Sequence, residues 1–173
     1  MMKVVALPGV PRWAVVAAHA VPWLTLPSGV WRVALVAGLP VAAVEQRGAA
    51  EAAYILMLSV VSEGLALLTL GLVRGWGEIV PAWVPGLGGR RVPTLAAVVP
   101  ALLGAAGLFA IGGWAFYAQF AGLGREGGVT DGAAQHVLLV VCYVPLIAWP
   151  PLLTAVALAY HRRRTARTSP VAA

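Results

Sequence analysis

Between residues 94 and 120 the chain carries no charged side chain at all. That run is longer than the about 20 residues a helix needs to cross a bilayer core. Three more apolar stretches can be drawn, at 13–44, 52–73 and 134–160. Such segments cannot make a water-soluble domain, because too little polar surface would remain to cover it. Only 10% of the residues are charged and 61% are hydrophobic, whereas a soluble domain carries about a quarter charged. The reading is an all-α protein: a four-helix transmembrane bundle forming one domain over residues 1–160, with a basic, mobile cytoplasmic tail at 161–173.

The first stretch departs most from a simple span. It is interrupted by Pro22, Pro27, Gly29 and Pro40, and as one straight helix it would measure about 48 Å, against a core of about 30 Å. It must therefore kink and tilt, or else residues 13–26 lie partly on the membrane surface before the crossing. Pro100 in the third stretch and Pro145, Pro150 and Pro151 in the fourth predict kinks rather than breaks, since neighbouring helices can satisfy the freed carbonyls. Ala18-His19-Ala20 matches a signal-peptide cleavage pattern. The apolar run before it is shorter than the roughly 7–15 residues such a leader needs, so the N-terminus is expected to be retained.

Basic residues set the orientation. With four spans and the N-terminus inside, Lys3, Arg12, Arg74, Arg90, Arg91, Arg162, Arg163, Arg164 and Arg167 all fall on one side, which is nine of the 12 Lys and Arg. Arg47 and Arg125 fall on the other, with Glu45, Glu51, Glu126 and Asp131. Retention of Lys and Arg in the cytoplasm then places both termini there. The net charge of +6 does not indicate nucleic acid, because the basic residues cluster at the ends of apolar runs. Their expected partners are the bilayer and anionic lipid headgroups, above all at His161–Arg164, with a homo-oligomer or a membrane partner open.

Two charges stand inside apolar surroundings, Arg32 and Glu63. An ionised side chain at mid-helix costs at least about 2.5–3.5 kcal/mol, so such residues are rare unless paired or functional. Counted from the outer ends of their spans, both lie roughly 17 Å deep, which predicts a buried Arg32–Glu63 ion pair. Thr25, Ser28, Gly29 and Arg32 share one helical face, as do Ser59, Ser62, Glu63 and Ala66. Two such small and polar stripes favour packing of the first span on the second, leaving Val61, Leu65, Leu68 and Leu72 towards lipid.

The loop over residues 74–93 contains Trp76, Glu78, Trp83, Arg90 and Arg91. Its tryptophans suit the headgroup layer, and a short helical turn over 78–83 is expected. Gly86-Leu87-Gly88-Gly89-Arg90-Arg91 lacks the Lys-Ser/Thr and the strand context of a phosphate loop, so it is read as a flexible basic loop. No metal site and no cofactor are expected: His19, His136 and His161 share no helix face, and Cys142 is a lone apolar-run cysteine.

LPSGVWR (26–32), SEGLALLTLGLVRGWGEIVPAWVPGLGGRRVP (62–93) and WPPLLTAVALAYHRRR (149–164) resemble a family of uncharacterised multi-span membrane proteins of high-GC actinobacteria. The resemblance implies a plasma-membrane helical bundle and transfers no activity. With no catalytic set in view, the first expectation is a non-enzymatic membrane component built around the Arg32–Glu63 pair. The alternatives are a small proton-coupled carrier, or a membrane-embedded lipid or isoprenoid enzyme with Glu63 as catalytic general acid.

Overall fold

The computed structural model describes residues 7, 9–43, 48–80, 82, 85, 88–121 and 130–166. Helix α1 is Arg12–Val36, α2 is Ala49–Leu68, α3 is Thr94–Phe120, α4 is Ala133–Tyr143 and α5 is Trp149–Ala166. The described residues contain no strand, only one antiparallel backbone bridge between Ile79 and Arg91.

The local sequence explains where these helices stop. Gly38, at a φ of 77°, follows α1 in the left-handed region that glycine enters without penalty. Its N–H donates to the Leu35 carbonyl at 3.1 Å, and the Leu39 N–H donates to Ala34 at 3.0 Å. These two bonds form a Schellman closure, and Pro40 next in line prevents the helix from resuming. The first helix therefore ends at Val36, not at residue 44, and residues 44–47 lie outside the described residues. α2 begins after Gly48 with Glu51 in its first turn, where a carboxylate complements the helix dipole. It tightens at its other end into a 3-10 turn, Thr69–Leu72.

The prolines act in two ways. Pro22, Pro27 and Pro100 sit inside unbroken helices. Pro145 instead lies in a 3-10 segment, Val144–Ala148, that joins α4 to α5. Pro150 and Pro151 then fall in the first turn of α5, where a missing N–H removes no helical bond. α5 continues through the basic run to Ala166, past the residue 160 boundary read for the fourth span.

Among the described residues, three helical rods are long and apolar enough to cross a membrane: Ala49–Leu72, Thr94–Ala118 and Ala133–Ala166. α1 has 25 residues, sufficient length, but is more polar and is not among them. It is nevertheless, with α5, one of the two central helices, packing on α2, α4 and α5, while α3 packs on α5. Ala14, Ala18, Val21, Ala66, Val73, Val156, Ala157 and Tyr160 form the core along this α1–α5 centre. Small residues dominate it, as close approach of helices in an apolar solvent requires. α2 and α3 flank the centre and barely touch one another. Outward faces carry Val16, Trp23, Val60, Leu103, Ile111 and Ile147, all largely exposed.

The start of α1, the end of α2, the start of α3 and the end of α5 meet at one end of the bundle. The Leu7 N–H reaches the Val73 carbonyl at 3.4 Å, and Arg164 donates to the Val92 carbonyl at 2.9 Å. At the opposite end the Gln135 amide donates to the Pro40 carbonyl at 3.1 Å.

Candidate functional site

Two polar clusters stand out, one within the bundle and one at its loop end. In the first, Thr25, Ser28 and Gly29 of α1 are buried and face α2, whose Ser59 is also buried. The Thr25 hydroxyl lies 2.9 Å from Glu63 Oε2 and 3.0 Å from the Pro22 carbonyl. The other carboxyl oxygen, Oε1, is buried with no hydrogen-bond partner. It rests against Gly29, where an added Cβ would lie only 3.3 Å away.

Arg32 and Glu63, expected to pair directly, take separate partners. Arg32 Nη1 donates to the Ser62 hydroxyl at 3.3 Å, and its guanidinium carbon lies 5.6 Å from the centre of the Tyr143 ring. Tyr143 also meets Trp31 edge-on at 5.4 Å. Among the described residues, ion pairs form elsewhere, at Glu78. The depth count placed Arg32 and Glu63 level because it ran α1 to residue 44. With α1 ending at Val36, Arg32 lies only about 6 Å from its helix end and Glu63 about 21 Å from the start of α2. Side chains lean towards the N-terminus of their own helix, which carries Arg32 back to Ser62.

The polar stripes of Thr25, Ser28, Ser59 and Ser62 thus do meet, but their hydroxyls are largely occupied locally. Ser28 donates to the Thr25 carbonyl, Ser59 to Ile55 and Ser62 to Ser59. Val61, Leu65 and Leu68 are exposed as expected, whereas Leu72 is buried. The 3-10 turn at Thr69–Leu72 winds by three residues and rotates Leu72 inward.

The second cluster surrounds Glu78. Arg163 Nη2 approaches Glu78 Oε1 at 2.8 Å and Arg164 Nη1 approaches Oε2 at 3.4 Å. Tyr160 lies beneath both guanidinium groups, at 5.4 and 5.8 Å, and its hydroxyl donates to the Gly77 carbonyl at 3.1 Å. The helical turn expected at 78–83 does not form over residues 78–80, which follow a 3-10 turn, Gly75–Gly77, and residues 81 and 83 lie outside the described residues. An extended pairing follows: Val80 N–H donates to Arg90, Gly89 N–H to Val80 and Val92 N–H to Glu78. Trp76 packs over Gly71, Arg90 and Arg91 are exposed, and Trp83 lies outside the described residues. Nearby, Arg74 donates to His19 Nε2 at 3.1 Å while His19 Nδ1 donates to Val15 at 2.7 Å, which places the imidazole proton on Nδ1.

Glu78, Arg163 and Arg164 were legible as loop and anchor residues, but their mutual pairing was not. The available signal was a lone carboxylate within a basic segment, with Arg residues on the helix whose end returns to that side. Tyr143 gave no signal in the sequence. No group of three or more His, Cys, Asp or Glu residues able to hold a metal occurs among the described residues. An apolar groove of about 500 Å³ runs between α2 and α3 over Trp149 and Leu153 of α5. A second of about 720 Å³ lies between the start of α1 and Arg162–Arg163. Glu63 lines neither. No family model, no curated protein and no solved structure matches the chain.

Proposed function

We propose that the chain is a non-enzymatic four-span component of the plasma membrane, with both termini on the cytoplasmic side. The observation that carries this reading is the placement of α1. Its polar residues Thr25, Ser28 and Arg32 turn onto α2 and α4, while Val16, Trp23, Val30 and Val33 remain outside. A helix buried this way presents lipid with a more apolar surface than its composition suggests, so α1 completes the three apolar rods as a fourth span. Basic residues supply the orientation. Arg12, Arg74, Arg90, Arg91 and Arg162–Arg164 gather at the loop end with the single carboxylate Glu78 among the described residues, while Glu51 and Asp131 belong to the other end. Cytoplasmic retention of Arg favours the loop end inside. We keep the likeness of residues 62–93 to an actinobacterial multi-span family as part of this proposal.

The test is impermeant thiol labelling of intact cells, using single cysteines in a Cys142→Ala background. Asp131→Cys is expected to label from outside, while Val10→Cys and Arg90→Cys label only after permeabilisation. Labelling of Val10→Cys from outside would leave three crossings and sink the four-span reading.

A second reading, a proton-coupled carrier, draws on the Glu63 site. Thr25 has one hydroxyl proton and three acceptors in reach, Glu63 Oε2 and the Pro22 and Val21 carbonyls. An ionised Glu63 accepts that proton; a protonated Glu63 donates to Thr25 Oγ1, which turns to Pro22. The Thr25–Glu63 hydrogen bond is kept in both states without moving a helix. Proteoliposomes loaded with a pH dye separate the readings: proton flux lost in Glu63→Gln favours the carrier, and no flux in either protein favours the structural component.

A further inference from the structure

We propose that the groove between α2 and α3 holds one hydrocarbon chain of an anionic membrane lipid, with its headgroup at Arg90 and Arg91. The inference rests on the membrane reading above and adds a binding site to it. α2 and α3 barely touch, so a gap opens between them that is floored by Trp149 and Leu153. Its lining extends along α3 from Ala96 to Ile111, about 22 Å at the rise of an α-helix. That is most of the roughly 30 Å depth of a hydrocarbon core. A volume of about 500 Å³ open to the centres of water-sized spheres over that length gives a groove roughly 8 Å wide, once a water radius of about 1.4 Å is added on each side. A helix with its side chains is about 10–12 Å across and cannot enter. A single polymethylene chain can.

The surface of the groove suits such a chain. Ala97, Ala101 and Gly104 keep the α3 wall low, and the surroundings are almost wholly apolar. Gly104 has no other atom within 4 Å of where a Cβ would stand, so the fold itself does not require glycine there. At the loop end the groove stops against Trp76 and Val92. Arg90 and Arg91 immediately precede Val92 and are exposed. Unlike Arg163 and Arg164, neither has a carboxylate partner among the described residues. Two uncommitted guanidinium groups at the polar end of a narrow apolar groove match the shape and charge of an acidic phospholipid.

The experiment is native mass spectrometry of the full chain, extracted in mild detergent. It is first equilibrated with equal amounts of phosphatidylglycerol and phosphatidylcholine bearing the same acyl chains. The expected result is one retained lipid per chain with phosphatidylglycerol preferred. Arg90→Gln with Arg91→Gln should reduce that preference about tenfold. Gly104→Leu, whose Cβ would meet no other atom within 4 Å, should narrow the groove and reduce retention of both lipids. Undiminished retention in Gly104→Leu, or no headgroup preference in the wild type, overturns the proposal. A dimer that Gly104→Leu dissociates also overturns it, in favour of a second copy of the chain. Alkaline carbonate extraction of membranes separates the two levels. Release of the chain by carbonate removes the membrane reading and the lipid site together, whereas a chain that stays with the membrane but fails the lipid test loses the site alone.

Discussion

At Glu63 the local geometry explains why three neighbouring residues have the identities they do. Thr25 supplies the hydroxyl, Gly29 leaves room for the carboxyl, and Ser62 diverts Arg32 to itself. Interhelical bonds of this type in membranes contribute about 0.6 kcal/mol on average and up to about 1.7 kcal/mol. Thr25→Val keeps the shape but removes the hydroxyl, leaving Glu63 without its described partner. It is expected to destabilise by about 1 kcal/mol in a denaturant titration in detergent, and Thr25→Ser to restore most of that. If Val and Ser behave alike, the hydroxyl is not what matters. Gly29→Leu is the more severe change, because even a Cβ meets Glu63 Oε1 at 3.3 Å. It should separate α1 from α2 and cost about 1–3 kcal/mol, the usual range for overpacking. Glu63→Ala in the same chain should recover part of that loss, which a purely local helix defect would not allow.

Among the elements, the Thr69–Leu72 and Gly75–Gly77 turns make the sharpest demand on sequence. A Cβ on Gly71 would fall 2.6 Å from the Trp76 ring, and one on Gly77 would strike the Gly71 backbone itself. Gly71→Ala is therefore expected to destabilise by about 1–3 kcal/mol and to be rescued by Trp76→Ala, since only a side chain stands in the way. Gly77→Ala should be worse, and Trp76→Ala should not relieve it; thermal unfolding of the four variants distinguishes the cases. These turns also show which elements could be read in advance. The uncharged run at 94–120 coincides with α3, because its unbroken apolar length outweighs Pro100 and its glycines. The face shared by Thr25, Ser28 and Gly29 was legible because it depends only on helical period. Helix ends were less so: Leu39 through Val44 look apolar, yet Gly38 and Pro40 stop α1 through backbone geometry that hydropathy does not register. The Arg32–Glu63 expectation inherited that error, since depth was counted from the wrong end. The tie between Glu78 and α5 joins residues 85 apart, and no local pattern encodes a partner at that distance.

For the whole molecule, the consequence of α2 and α3 standing apart is that closure at the loop end depends on the segment between them. That segment is fastened to α5 by Glu78, through Arg163 and Arg164, and by Tyr160 on Gly77. Arg164 in turn reaches the Val92 carbonyl and Thr94 at the start of α3. One carboxylate thus helps hold the end of α2, the loop, α3 and α5 in a single arrangement. The Arg163 and Glu78 side chains are only 8% and 14% exposed, so this is not a surface pair screened to insignificance. Removing one partner from an enclosed pair leaves the others uncompensated and costs up to about 3–5 kcal/mol; partial exposure brings the expectation for Glu78→Gln to about 2 kcal/mol. Asp131→Asn, at an exposed site at the other end, should stay within about 0.5 kcal/mol. Hydrogen exchange supplies the discriminating readout. Glu78→Gln should accelerate exchange at Val80, Gly89 and Val92, whose amides make the paired bonds of the loop, and leave the middle of α1 unchanged. Faster exchange throughout α1 would mean that Glu78 supports the bundle as a whole, and that α1 does not hold its core independently of the loop.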